Sequence, residues 1–238
     1  MENLLEKTKL LDFDNKEILH LIEKREWKNL NEKEKIRQIY EFVRDEIQFG
    51  YNIDDAIPAS LVLKDGYGQC NTKGILFMAL LRAVKIPCRI HGFTVNKIIQ
   101  KGTITGIPYI LAPREIVHSW VEINYKGKWF NLEGFILDKL YLNNIQKKFS
   151  GCMTSFCGYA VAVEDFKNPQ IDWNENDTYI QKEGIIQDFG IFDTPDQFFM
   201  EHFQKLSQLK RFLFRKIVRH KMNRNVEAIR KSKSREIL

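Results

Sequence analysis

No stretch of this sequence is apolar for long enough to cross a bilayer; the longest run, ILFMALL at 75–81, ends on Arg82. The N-terminal MENLLEKTKLLDFDNKE is charged throughout and lacks the uninterrupted apolar core of a secretion signal. These two absences lead to the expectation of a cytoplasmic protein without a transmembrane segment. Cysteine is scarce. Cys70, Cys88, Cys152 and Cys157 are too few for a disulfide scaffold, and CMTSFC, with no second pair, has no zinc spacing. DWNENDTYIQKE sets Asp172, Asn174, Asn176 and Glu183 at calcium-loop positions, but Asp177 stands where the turn needs glycine and Pro169 precedes it, so the match reads as coincidence. Neither a metal nor a cofactor is expected, and four reduced thiols are. Repeats and low-complexity tracts are missing as well. What remains, 238 residues of which 44% are hydrophobic, suits a folded domain with a sizeable core.

Charge is unevenly spread. From Lys205 to the end, twelve lysines and arginines face two acidic residues, whereas the whole chain carries only +6. The body is therefore mildly acidic and the tail strongly basic. KLSQLKRFLFRKIVRHKMNR places Leu206, Leu209, Leu213 and Ile217 on one helical stripe, which suits docking on the acidic body or contact with a polyanion. Without a nucleic-acid motif or aromatics on its basic face, intramolecular docking is the expectation, and nucleic acid or an anionic membrane could be met only through this tail.

The most informative stretch is GYGQCNTKGILFMALLRAVKIPCR, 66–89. Gly66 and Gly68 punctuate the approach, and from Cys70 to Pro87 only Gly74 interrupts. Apolar residues from Ile75 to Val84 cover every face, which predicts a fully buried helix. Cys70 then sits in the first turn, where free N–H groups and the helix dipole favour a thiolate. A buried structural cysteine is the commoner alternative, so a base must be found elsewhere.

Upstream, 14–24 and 32–46 read as helices, the second capped by Asn31 with Ile36, Ile39, Tyr40, Val43 and Ile47 on one face. CRIHGFTV reads as a strand, and QKGTITGIPYILAPRE as a lid or inserted hairpin. IVHSWVEINYKGKWFNLEGFIL reads as a hairpin about a Lys126–Gly127 turn, with paired residues summing to 253. One face then carries Val121, Ile123, Tyr125, Phe130 and Leu132, the core. The other carries His118, Trp120, Glu122, Asn131 and Glu133. His118 and Glu133 become diagonal neighbours roughly 7 Å apart, a carboxylate placed to orient an imidazole base. Glu122 reads instead as part of a solvated strand face. YAVAVEDF should be a strand, 165–195 alternates polar loops with short apolar runs, and the chain from TPDQFFMEHF to about 230 should be helical.

These motifs together resemble the transglutaminase-like superfamily of papain-fold enzymes. The resemblance rests on Gly68 and Cys70 opening the helix, Leu81-Arg82-Ala83 and Ile86-Pro87-x-Arg89 leaving it, His118-x-Trp120-x-Glu122, and Trp129 followed by Glu133. It runs from about 33 to 137. It implies an α+β, papain-like fold in which N-terminal helices and a central Cys-bearing helix pack on an antiparallel sheet, followed by a C-terminal helical extension. It also implies Cys70 as nucleophile, His118 as general base and acid, and Glu133 as third member. Where the family usually has Asp-Pro-Thr this chain has Glu133-Gly134-Phe135, and Lys85 replaces the usual glycine before Ile-Pro. The implied activity is an acyl-thioester on Cys70 formed from a carboxamide or peptide bond of a peptide or protein, then passed to water or an amine. A binding module that keeps the fold without turnover is the rival. The expected organisation is 1–150 as the core with its N-terminal helices, 151–200 as a strand-and-loop extension of it, and 201–238 as the basic tail.

Overall fold

The computed structural model describes residues 2–232, so the last part of the basic tail, 233–238, lies outside the described residues. In chain order, α1 (Lys16–Lys24) and α2 (Glu32–Glu41) come first, and α2 continues through a π-helical turn, Phe42–Glu46. Asn15 and Asn31 cap these helices by accepting from the N–H groups of Glu17 and Glu34, as the Asn cap at 31 requires. Short strands β1 (Gln48–Phe49) and β2 (Tyr67–Gly68) pair in parallel across α3 (Ala59–Asp65) and deliver the chain to α4 (Cys70–Ala83).

The α4 helix is buried from Asn71 through Arg82. Its apolar side chains anchor the core at about 1.5–3 kcal/mol for each Leu or Phe removed from water. Its two buried basic side chains donate to carbonyl oxygens, with Arg82 Nε alone left without a partner among the described residues. Lys73 donates to Arg44 (3.1 Å) and Ile136 (2.9 Å), and burial lowers its pKa to about 7 despite Asp138 and Asp45. Arg82 donates to the carbonyls of Glu6 (2.8 Å), Cys88 (2.9 Å) and Asp193, tying the N-terminal segment and the sheet to the helix. The helix ends in paired bonds from Ile86 N–H to Leu81 (2.9 Å) and from Lys85 N–H to Arg82 (3.0 Å). That closure needs a left-handed residue, and Lys85 supplies it at φ 67°. The glycine that the resemblance leads one to expect there has a backbone reason.

Next come β3 (Cys88–Asn96), α5 (Ile107–Leu111), β4 (Glu115–Tyr125), β5 (Lys128–Leu132), α6 (Lys139–Lys148), β6 (Phe156–Gly158), β7 (Val161–Val163) and β8 (Ile185–Phe192). An antiparallel sheet runs in the order β5-β4-β3-β8, while β6 and β7 form a separate pair. The β4–β5 hairpin has the expected register, Val121 opposite Leu132 and Tyr125 opposite Lys128, around a turn with Lys126 and Gly127 both at positive φ. Its inward residues Val121, Ile123, Tyr125, Phe130 and Leu132 are all buried against the α4 side. This α+β, papain-like arrangement is the expected fold class.

Other parts differ from the sequence reading. The stretch 165–195 contains a full strand, β8, and YAVAVEDF supplies only the short β7. The C-terminal part is not one continuous helix: α7 (Pro195–Glu201) is followed by extended chain at 202–207. Helix then resumes as α8 (Gln208–Leu213), a π-helical stretch (Phe214–Val218) and α9 (Arg219–Arg230). The apolar stripe is not packed tightly on the body, since Leu209, Leu213 and Ile217 are exposed. α9 docks instead through buried Met222 and Val226, an Arg230–Asp138 ion pair (2.7 Å), and Asn223, which bonds both backbone groups of Tyr51. Among the described residues no helix is long and apolar enough to cross a membrane.

Candidate active site

Cys70 occupies the first helical position of α4, half-buried. The strand-to-helix approach is tight: a Cβ on Gly68 would lie 2.7 Å from the Thr72 hydroxyl. That hydroxyl accepts from the Gln69 N–H (3.1 Å), closing the first turn around the cysteine. The Cys70 N–H has no acceptor within the helix, because the first turn never does.

His118 lies on β4, wholly buried. Its Nε2 is 2.7 Å from Glu133 Oε1, and Glu133 is wholly buried too. The second carboxylate oxygen of Glu133 accepts from the N–H groups of Ile180 (2.8 Å) and Gln181 (2.9 Å). The carboxylate is thus fixed from both ends. Nδ1 of His118 is buried without a conventional partner, and the group acting on the ring from that side is Cys70. Burial alone would lower the imidazole pKa. The influence of Cys70, then that of Glu133, outweighs it and raises the value to about 10. The structure therefore brings Cys70, His118 and Glu133 together in one chain of contacts.

Glu133 reaches this position just beyond the end of β5, where the ladder has given way to pairing with the 178–181 segment: its N–H donates to the Thr178 carbonyl (2.9 Å). The Thr178 hydroxyl accepts from the N–H groups of both Glu133 (3.2 Å) and Gly134 (3.1 Å), and from the Tyr40 hydroxyl (3.1 Å). A Cβ at Gly134 would lie 2.6 Å from the Tyr40 hydroxyl and 2.7 Å from the Ile171 backbone. The Glu-Gly pair is therefore accommodated as a unit. A proline at 134 would lack the N–H that Thr178 uses.

The other residues of the same sheet face take different places. Asn131 does not touch His118; its amide donates to the Tyr179 hydroxyl (2.9 Å). Glu122 is buried rather than solvated, bonded by Arg89 (2.7 Å) and His91 (2.8 Å). Trp120 packs on Phe93 with ring centres 4.1 Å apart.

Two supports escaped the sequence reading. Asn71 donates to the Val117 carbonyl (3.1 Å) and accepts from Ser119 (2.9 Å), pinning the start of α4 to the strand residues on either side of His118. Its position beside Cys70 was the available signal. The N–H pair from Ile180 and Gln181 had none, because backbone donors leave no trace in side-chain pattern. A cleft of about 450 Å³ opens over Cys70 and His118, between the α5 segment and the C-terminal helices. Among the described residues no three His, Cys, Asp or Glu side chains converge as a metal site.

Such a geometry, a helix-borne thiol beside a carboxylate-anchored imidazole on an antiparallel sheet, defines the class of cysteine-enzyme-like folds. Residues 23–134 match the family model of the transglutaminase-like superfamily, and the chain carries a transglutaminase-like domain. A search of curated proteins finds no match. Among solved structures the chain is similar to one described as a "putative cysteine protease" from Cytophaga hutchinsonii, at 19% identity and a TM-score of 0.42. The likeness covers 58% of this chain and 42% of that one, so the chain spans less than half the length of that relative.

Proposed function

We propose that the protein is a cysteine enzyme that cleaves a carboxamide or peptide bond through an acyl-thioester on Cys70. The observation that carries this reading is His118, buried with one ring nitrogen 2.7 Å from Glu133 and the other turned to Cys70. An imidazole held cationic by its surroundings stabilises a neighbouring thiolate, which is the nucleophilic form. In the proposed reaction Cys70 Sγ adds to the carbonyl carbon, and the Cys70 N–H at the helix start donates to the oxyanion. As the C–N bond breaks, His118 gives its proton to the leaving amine. Water or a second amine then attacks the thioester, His118 takes the proton back, and the acyl group leaves Cys70. Glu133 keeps the imidazole oriented and stabilises its charge throughout.

A binding module without turnover is the weaker reading, because binding alone has no use for a wholly buried imidazole poised between a thiol and a carboxylate. Some of the tail's positive charge is also spent internally, Arg230 on Asp138 and Arg215 on Asp54. The test is covalent capture. Incubation with an amide or thioester substrate followed by acid quench and peptide mass mapping should find an acyl adduct on Cys70. Capture on no cysteine under conditions that saturate the site would leave only the binding reading.

A further inference from the structure

The cleft above Cys70 is apolar in a way that peptide recognition does not require. Ile104, Ile116, Phe203, Leu213, Phe214 and Met222 are among its walls, and Cys70 and His118 lie on its lining. The polar groups of this lining nearest the thiol already have protein partners, apart from His118 Nδ1, while Arg211 lies on the same lining with its charge unpaired among the described residues. Gln204 places its amide on the free edge of β4 beside His118, accepting from the Val117 N–H (3.0 Å) and donating to the Glu115 carbonyl (3.2 Å). Those are the strand-edge groups an extended peptide would pair with. Gln69 is engaged by Asn52 and Asp55, Gln181 by the Ala160 carbonyl (2.7 Å), and the Tyr51 hydroxyl by Thr103 (3.0 Å). A peptide entering here would bury main-chain N–H and C=O groups without partners, whereas a hydrocarbon chain has none to satisfy.

The apolar lining continues out to the rim. Ile107 is 70% exposed on the lid segment and Ile217 is 58% exposed on the C-terminal helix, and both line the same cleft. The lid and the helix are joined by Lys210 Nζ donating to the Leu111 carbonyl (3.1 Å), and the helix is joined to the 54–55 loop by the Arg215–Asp54 ion pair. The cleft is thus a built wall, and its volume lies within the range of about 300–1,000 Å³ common for small-molecule sites.

We propose that this cleft holds the long hydrocarbon chain of an N-acyl amide, with the amide carbonyl at Cys70. The proposal rests on the thiol chemistry above and names its substrate class. Cys70 Sγ bonds to the acyl carbon as the C–N bond breaks, and the amine departs with the proton of His118. Water then adds to the thioester and yields its proton to His118, the C–S bond breaks, and a long-chain fatty acid leaves with the thiolate restored.

The test pairs turnover with a binding readout that needs no chemistry. With acetyl, octanoyl and myristoyl amides of a fluorogenic aminocoumarin, kcat/KM of the full chain should rise about twofold to fourfold per methylene until the cleft is filled. The catalytically disabled C70A protein should bind a fluorescent long-chain fatty acid saturably, with displacement by myristate. L213D should flatten the chain-length dependence and weaken that binding at least tenfold, with I217D, at a more exposed wall position, as the second variant should L213D fail to fold. Equal turnover of all three amides, with no saturable fatty-acid binding, overturns the hydrocarbon cleft while leaving the thiol chemistry standing. Saturable fatty-acid binding by C70A with no amide turned over by the parent supports the cleft and overturns the chemistry instead.

Discussion

Two histidine–glutamate pairs sit on the same sheet, and they end in different chemistry. His91 on β3 bonds Glu122 at 2.8 Å, much as His118 on β4 bonds Glu133 at 2.7 Å. The second nitrogen of His91 is taken by Asp188 (2.8 Å), and Glu122 is also held by Arg89 (2.7 Å), which lies over the Trp129 ring. Both ring nitrogens of His91 and both carboxylate oxygens of Glu122 have partners, so the cluster clamps β3, β4 and β8 together. Around His118 the carboxylate is equally well held, but Nδ1 is left for the Cys70 side. Both imidazoles are pushed toward the cationic form against the effect of burial, His91 by Glu122 and Asp188 and His118 chiefly by Cys70. A raised histidine pKa therefore does not by itself mark a reactive site. An unspent nitrogen facing a thiol does.

The largest separation between the two pairs is expected in turnover. Cys70→Ala and His118→Ala should each abolish it, and the double variant should cost little more because the groups act as a unit. Glu133→Gln should lower kcat by about 10²–10⁴-fold with the fold retained. The amide would turn N–H donors toward Nε2, forcing the ring proton onto Nδ1, the nitrogen that must serve the thiol. Glu122→Gln should keep kcat within a factor of about 3, and Asn131→Ala likewise. Steady-state kinetics on folded protein, checked by circular dichroism, decide this; a crippled Asn131→Ala beside a fully active Glu133→Gln would reverse the assignment.

A smaller but sharper difference lies in pH. The His118 value of about 10 means that the imidazolium persists from acid through neutral pH and is lost as pH rises through about 10, so kcat/KM should fall on that alkaline limb. In Cys70→Ala the leading influence that raises the value is gone, burial gains weight, and the titration midpoint should move down. His91 should not move. NMR titration of the two imidazoles measures both.

In stability the order is inverted. Glu122→Gln should cost about 2 kcal/mol in urea unfolding, because Arg89 and His91 both lose their acceptor charge. The smallest effect is expected at the end of α4: Lys85→Gly should stabilise by about 0.5–1 kcal/mol with activity unchanged, since glycine takes the φ of 67° without strain.

How much of this was readable in the sequence follows from which groups carry it. The Cys70 helix is apolar on every side, and the hairpin has a two-residue turn that fixes its register, so both could be placed from pattern alone. The alternation that put His118 and Glu133 on one face also put Glu122 there. What it could not supply was the layer covering that face, because 178–181 lies in a segment without periodicity and contributes backbone N–H groups. Glu122 looked solvated for a different reason: the Arg89 and His91 side chains that bond it in its buried place come from β3, whose pairing with β4 the pattern did not supply. The C-terminal stripe was readable only in part. Helical spacing shows that Leu206, Leu209, Leu213 and Ile217 share a side, and Leu206, Leu213 and Ile217 do line the cleft. The close packing on the body comes instead from Met222 and Val226 with the polar anchors Asn223 and Arg230, which lie outside the stripe.

The proposed chemistry depends most on His118 activating the Cys70 thiol. The direct measurement is the rate of iodoacetamide alkylation of each cysteine at neutral pH, followed by peptide mass in the parent and in His118→Ala. Cys70 should react at least about tenfold faster than Cys152 and Cys157, with that advantage lost in His118→Ala. Equal labelling of Cys70 and Cys152 in the parent, or an advantage that survives removal of the imidazole, would contradict it.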